Sequence, residues 1–118
     1  MLRTMLKSKL HGATVTQTEL QYAGSITIDR DLMDAADLLD GERVQVVNMN
    51  NGSRLETYVI EGEAGTGIIC LNGPAARMAE VGDVVHVLCY ALCDDTEARS
   101  LQQHIVILGV RNEIIIRK

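Results

Sequence analysis

Phenylalanine and tryptophan are absent from this sequence, proline occurs once, and aromatic residues make up only 3% of it. Val, Ile, Leu, Ala and Met must therefore fill the core, and branched aliphatics of this kind favour strands over helices. Cysteine is scarce and odd in number: Cys70, Cys89 and Cys93 form neither a CxxC pair nor a Cys/His zinc spacing. That excludes a disulfide framework, gives no reason to expect a metal, and leaves buried free thiols. Basic residues are outnumbered 11 to 16, for a net charge of −5. A nucleic-acid binder would need a concentrated basic footprint, so that class is disfavoured, as is simple binding to an anionic membrane. No segment approaches the roughly 20 apolar residues of a spanning helix. From Met1 to Lys9, charges interrupt the apolar residues and no signal-peptide core is present, so a cytoplasmic protein is expected.

At 118 residues the chain reads as one domain, 1–118. So small a chain is only marginally able to bury its apolar surface, which makes association plausible. Arg3 to Thr16 mixes polar and apolar residues and is expected to be an irregular strand or hairpin. In an extended segment Lys9 and His11 share a face. A short extended stretch surrounds Ser25–Ile28. Asp29 to Asp40 is the best helix: Leu32, Ala35, Ala36 and Leu39 follow one helical face, Asp29 or Asp31 can cap its start, and Gly41 suits its end.

Val44–Met49 and Arg54–Ile60 flank Asn50-Asn51-Gly52-Ser53, and Asn-Gly between strands is a strong hairpin signal. Further strands are expected at Ile68–Leu71, Val84–Tyr90, Ile105–Val110 and Ile114–Ile116. Pro74 can open a short helix through Ala75–Met78, because a proline there forfeits no helical hydrogen bond. Many short strands and little helix predict a mainly-β barrel. His86 reads as a strand residue and His104 as a surface residue.

A lone Gly-Ser dipeptide announces nothing, but its surroundings here are specific. Tyr22-Ala23-Gly24-Ser25-Ile26-Thr27-Ile28-Asp29, preceded by Lys9-Leu10-His11 and followed by Arg54, Thr57-Tyr58 and Asn72-Gly73, resembles the pyruvoyl-dependent aspartate 1-decarboxylase family. The likeness starts at Met1 and stays in register to about Ala91, taking in Asn51-Gly52, Thr57-Tyr58-Val59-Ile60 and Val81-Gly82-Asp83-Val84-Val85. Beyond Ala91 it thins, and Arg111–Lys118 departs from the expected tail.

The resemblance implies a double-psi β-barrel, a homotetramer with sites at subunit boundaries, and a zymogen that cuts itself between Gly24 and Ser25 into chains 1–24 and 25–118. Ser25 Oγ would attack the Gly24 carbonyl. A planar amide resists this unless held off its relaxed geometry, and Gly24, without a Cβ, reaches dihedrals closed to other residues. The residue matching Thr57 would stabilise the oxyanion. Elimination and hydrolysis would then turn Ser25 into a pyruvoyl group, the covalent cofactor. Its ketone forms a Schiff base with L-aspartate and acts as the electron sink for loss of the α-carboxylate.

The residue matching Tyr58 would protonate the former α-carbon, releasing β-alanine for pantothenate and coenzyme A synthesis. An anionic substrate meets a net negative chain at long range, so its site must gather local cations. Lys9 and Arg54 would hold the two carboxylates, Arg54 by a fork and Lys9 as a point charge. Asn72, Gly73, Pro74 and Ala75 match the substrate-contacting loop. Pro74 stands where the family often has Ala, and it offers no N–H. His11 and Tyr22 match positions lining the site. Thr57 and Tyr58 are adjacent, so on a regular strand they leave opposite faces; serving one site requires a twist, a bulge or adjoining subunits. The resemblance leaves open whether an accessory protein is needed for maturation. The competing reading is a noncatalytic small barrel or a swapped-hairpin transcription regulator, which the absent basic cluster disfavours.

Overall fold

A computed structural model describes residues 1–118. Nine strands form it: β1 Arg3–Thr14, β2 Gln17–Glu19, β3 Ser25–Asp29, β4 Arg43–Asn48, β5 Arg54–Gly62, β6 Ile69–Asn72, β7 Val84–Cys93, β8 His104–Leu108 and β9 Ile114–Arg117. They hydrogen-bond in the order β2-β6-β3-β5-β4-β7-β1-β8-β9. Only Val15 and Thr16 separate β1 from β2, yet these strands lie near opposite ends of that order. The Val15 N–H donates to Asp83 O and the Thr16 N–H to Ile69 O, each at 2.9 Å, so the kinked first segment ties the sheet's ends together. The mainly-β barrel expected from the sequence results, consistent with a double-psi arrangement. Parallel pairs β1/β8, β2/β6 and β3/β5 occur among antiparallel ones.

Its interior is aliphatic, with Leu10, Ile26, Ile28, Ile69, Leu71, Val46, Val59, Val85 and Val87 fully or almost fully buried. The three cysteines are buried free thiols. The Asn-Gly hairpin joins β4 to β5, with Gly52 at φ +75°. β1 is one long strand whose register slips between Leu6 and Ser8 and between Leu10 and Ala13, which accounts for its irregular pattern.

Helix α1 is shorter than expected. It spans Arg30–Ala36, with Asp29 as its N-cap accepting from the Asp31 N–H at 2.7 Å. Asp37, not Gly41, ends it, at φ +56°. The chain then turns so that Leu38 enters the core while Leu39, expected on the buried face, is 70% exposed. A second helix, α2 at Asp95–Ser100, was not expected because it buries no residue and so carries no apolar period. Its one sequence signal is the capping box formed by Asp94 and Glu97. A 3₁₀ helix at Gly73–Met78 takes the place of the short helix foreseen after Pro74.

Candidate active site

Ser25 is the first residue of β3 and is fully buried. On one side β3 runs antiparallel to β6, which places Asn72 opposite Ser25 and Cys70 opposite Thr27. On the other it runs parallel to β5, with Ile26 beside Val59. Tyr58 immediately precedes the paired part of β5, and Gly24 lies one residue before β3.

The pairing of β3 to β5 begins only at Val59, so the Arg54–Tyr58 half of β5 is bonded to β4 alone. Along the edge left open runs a cleft of about 470 Å³, bordered by Gly24, Leu55, Glu56, Thr57, Tyr58, Pro74, Ala75 and Met78. Thr57 and Tyr58 do leave opposite faces of a regular strand: Leu55, Thr57 and Val59 turn inward, while Arg54, Glu56 and Tyr58 turn outward. Both border one cleft because it follows the strand's edge instead of covering a face. No bulge is required.

Hydrogen bonds converge on Ser25. Its Oγ donates to Ala23 O at 3.1 Å and accepts from Asn72 Nδ2 at 2.9 Å. The same nitrogen donates to Thr27 Oγ1 at 2.9 Å, and Asn72 Oδ1 accepts from Cys70 Sγ at 3.2 Å. Gly73 packs against the Tyr22–Gly24 backbone. At φ +63°, a Cβ there would lie 2.8 Å from Tyr22 O and 2.9 Å from the N and Cα of Gly24. Left-handed backbone is thus used by Gly73 and not by Gly24, where the sequence reading had placed the need for unusual dihedrals. A Cβ on Gly24 would meet only Pro74 Cδ, at the ordinary contact distance of 3.5 Å, so space does not demand glycine there.

Lys9, His11, Tyr22 and Arg54 do not border this cleft. Tyr22 is half exposed. Lys9 and His11 share the partly exposed face of β1, as extended geometry requires. His11 stacks on His86, with ring centroids 4.1 Å apart and planes at 21°, and His86 Nδ1 accepts from the Gly12 N–H at 3.0 Å. Burial, then the charges of Lys9 and Lys118, lowers the His11 pKa; burial, then His11 and Lys9, lowers that of His86. His86 therefore does more than the ordinary strand position expected of it. Arg54 donates to Gln45 Oε1 at 3.0 Å, and neither Arg54 nor Lys9 enters an ion pair, unlike Lys7, Arg30 and Arg43.

The sequence reading missed Cys70 and Thr27 as neighbours of Ser25. Ser25-x-Thr27 and Cys70-x-Asn72 are each two apart on a strand, the spacing that puts side chains on one face. A second hollow, of about 510 Å³, lies between α1 and the β9 end of the chain, walled by Asp31, Asp34, Arg111, Glu113 and Arg117 among others. It contains no Ser, Thr, Cys, Lys or Tyr nucleophile. No group of His, Cys, Asp and Glu is arranged to hold a metal ion, and no helix is long and apolar enough to cross a membrane.

The profile of the aspartate decarboxylase family matches residues 1–115. The aspartate 1-decarboxylase of Moorella thermoacetica is 57% identical over 114 residues, covering 97% of this chain and 89% of the relative. Those of Bacillus cereus strain B4264 and Pelotomaculum thermopropionicum are 54% and 56% identical over 115 residues, covering 98% of this chain and 91% and 87% of theirs. The family match thus extends to residue 115, and the chain belongs to the aspartate decarboxylase family.

Proposed function

We propose that the chain is a self-processing, pyruvoyl-dependent enzyme that decarboxylates L-aspartate to β-alanine and CO2. The observation that carries this reading is the cleft along the open edge of β5 that Gly24 shares with Thr57 and Tyr58, next to the buried, hydrogen-bonded Ser25. In processing, Ser25 Oγ bonds to the Gly24 carbonyl carbon, the Gly24–Ser25 C–N bond breaks, and the hydroxyl proton ends on the freed amine. Thr57, on the cleft that Gly24 also borders, supplies the donor for the carbonyl oxygen as it gains charge. β-Elimination from the resulting ester releases chain 1–24 as its Gly24 carboxylate and leaves dehydroalanine at position 25, whose hydrolysis by one water releases ammonia and leaves a 25–118 chain headed by a pyruvoyl group.

Ser25 fits the precursor of that group, being fully buried, hydrogen-bonded and adjacent to the cleft. Once formed, the group supplies an electrophilic ketone and an electron sink, which no ordinary side chain offers. The remaining work falls to the chain's own residues. Arg54 and Lys9 bind the carboxylates of the substrate, Arg54 through a fork of donors and Lys9 as a point charge. Tyr58 delivers a proton to the carbon that has lost its carboxylate. Asn72, Gly73, Pro74 and Ala75 wall the substrate, with Pro74 contributing its carbonyl or its shape because it has no N–H. His11 and Tyr22 order the remaining lining.

Since Lys9, His11 and Arg54 do not border their own chain's cleft, this reading has them complete the cleft of a neighbouring copy in a homotetramer. Exposed Tyr58, Met78, Tyr90 and Leu92 give such copies apolar surface to cover. The reading places the enzyme in the cytoplasm, supplying β-alanine for pantothenate.

Intact-mass analysis of the purified protein tests it. The expected result is two fragments, 1–24 and 25–118, with borohydride in the presence of aspartate adding mass to the larger alone. Ser25→Ala is expected to stay whole and inactive, since it removes both the attacking hydroxyl and the atoms of the cofactor. A cleaved and active Ser25→Ala chain, or a wild-type chain that remains whole and still decarboxylates, overturns the reading.

A further inference from the structure

Ser25 Oγ has one proton and two lone pairs to place. The proton points to Ala23 O, and one lone pair takes the Asn72 Nδ2 donor. One lone pair is left for the Gly24 carbonyl carbon. This arrangement holds only while Asn72 presents its NH₂ to Ser25. Rotated by half a turn, the amide would present Oδ1 and accept the Ser25 proton, breaking the bond to Ala23 and giving Thr27 Oγ1 an acceptor in place of a donor. Hydroxyls satisfy either orientation, so Ser25 and Thr27 do not choose between them.

Unlike a hydroxyl, the thiol at position 70 accepts only weakly, so it favours the orientation that presents Oδ1 to it and leaves both Nδ2 hydrogens on hydroxyl oxygens. Cys70 Sγ lies 3.2 Å from Asn72 Oδ1, on the same face of β6, and both residues are only 3% exposed. A buried carbonyl oxygen needs a donor, and the S–H is the one there. We infer that Cys70 is a positioning residue for self-cleavage, its S–H fixing the Asn72 amide so that Asn72 donates to Ser25 Oγ instead of accepting from it. Burial, with the nearby charge of Glu19 adding to it, pushes the Cys70 thiol above its ordinary pKa and keeps the proton on sulfur. A thiolate could not donate. Of the three cysteines, only Cys70 reaches the Ser25 network: Cys89 and Cys93 direct their thiols at backbone carbonyls.

The inference rests on the reading that Gly24–Ser25 is the bond cleaved, and its test separates the two. Wild type, Cys70→Ser, Cys70→Ala and Cys70→Val are unfolded and refolded from uncleaved chain, and the 25–118 fragment is followed by intact mass alongside the melting temperature. Serine keeps a donor, alanine keeps neither donor nor volume, and valine restores volume without a donor. The expected result is cleavage within about twofold of wild type for Cys70→Ser, whose hydroxyl donates to Oδ1 but also tolerates the flipped amide, and roughly threefold to tenfold slower cleavage for Cys70→Ala and Cys70→Val, about the worth of one hydrogen bond. The slowing should not track melting temperature across the set. Wild-type rates in the folded donorless variants, or equal slowing in Cys70→Ser, would overturn the role of Cys70 and leave the cleavage reading intact. A wild-type chain that never cleaves overturns both.

Discussion

Gly73 approaches Gly24 so closely that a Cβ on Gly73 would lie 2.9 Å from the N and Cα of Gly24. Real Cβ atoms do not come so near backbone, so Gly73→Ala must push the cleavage segment away from β6 or lose the left-handed turn at φ +63°. Displacement on the order of 1 Å can cost about 10²-fold in a reaction that depends on near-attack geometry, and a shift of part of that predicts roughly tenfold slower self-cleavage. Gly52→Ala is the control. It has φ +75° but open space around it, so it should lower the melting temperature without slowing cleavage. Time courses of fragment appearance for both variants check this.

Thr57 and Gly24 border the same cleft. If its hydroxyl stabilises the carbonyl oxygen during the acyl shift, Thr57→Val, close to it in shape, should fold normally and cleave about 10²–10³-fold more slowly. Normal processing on a denaturing gel would remove Thr57 from that role.

Much of this arrangement could be read from sequence, for reasons tied to particular residues. Asn51-Gly52 fixes a hairpin through local backbone chemistry, and Val59 and Val46 report a buried face through alternation. The resemblance to a known family supplied Ser25, Thr57 and Tyr58, which periodicity alone would have left as strand residues. What stayed hidden depends on pairing between distant segments. No local signal says that β3 meets β5 only from Val59 onward, and that open edge is what lets adjacent Thr57 and Tyr58 share a cleft. Leu38 and Leu39 differ by one position in a good helical pattern, and the left-handed Asp37 decided which of them was buried. Cys70 was legible only as a buried thiol, because its partner across the strand face mattered more than its own identity.

The His11–His86 stack predicts a dependence of stability on acid. Both pKa values are lowered in the folded protein, so over the range just below the unfolded value of about 6.5 the unfolded chain binds more protons than the folded one. The stabilisation is fully present above that value and is lost as pH falls through the folded values. Lys9 and Lys118 add to the cost of charging His11, and neutral Val47 faces His86 from β4. His86→Phe keeps a ring against His11 without a proton to gain. Its melting temperature should fall less than that of the wild type between about pH 7.5 and about pH 5.5. An equal fall in both proteins would show that other groups control the acid response.

Arg54 binds no acid in its own chain and is held only by Gln45. For Arg54→Ala the expected loss in kcat/KM is about 10- to 100-fold, the range for a charged hydrogen-bonding group removed from a ligand. Added salt should not restore it, since the lost contact is local. Arg54→Lys should recover part, because the charge remains while the fork does not. Unchanged kcat/KM in Arg54→Ala would return this side chain to the solvated surface.

Tyr58 tests the division between making the cofactor and using it. Its side chain leaves the outward face of β5 and is 40% exposed, whereas Thr57 turns inward on the cleft that Gly24 also borders. The two neighbours can therefore act at different stages, Thr57 on the peptide carbonyl beneath the edge and Tyr58 on a substrate lying outside it. Tyr58→Phe preserves the ring and removes one hydroxyl, so folding and cleavage should be unaffected and borohydride should still trap aspartate on the 25–118 chain. Turnover should fall by about 10²–10⁴, the usual worth of a general acid. Trapping and β-alanine release measured on one sample distinguish the outcomes. Trapping with wild-type turnover would mean that water or another residue supplies the proton, and failure to cleave would move Tyr58 from decarboxylation to maturation.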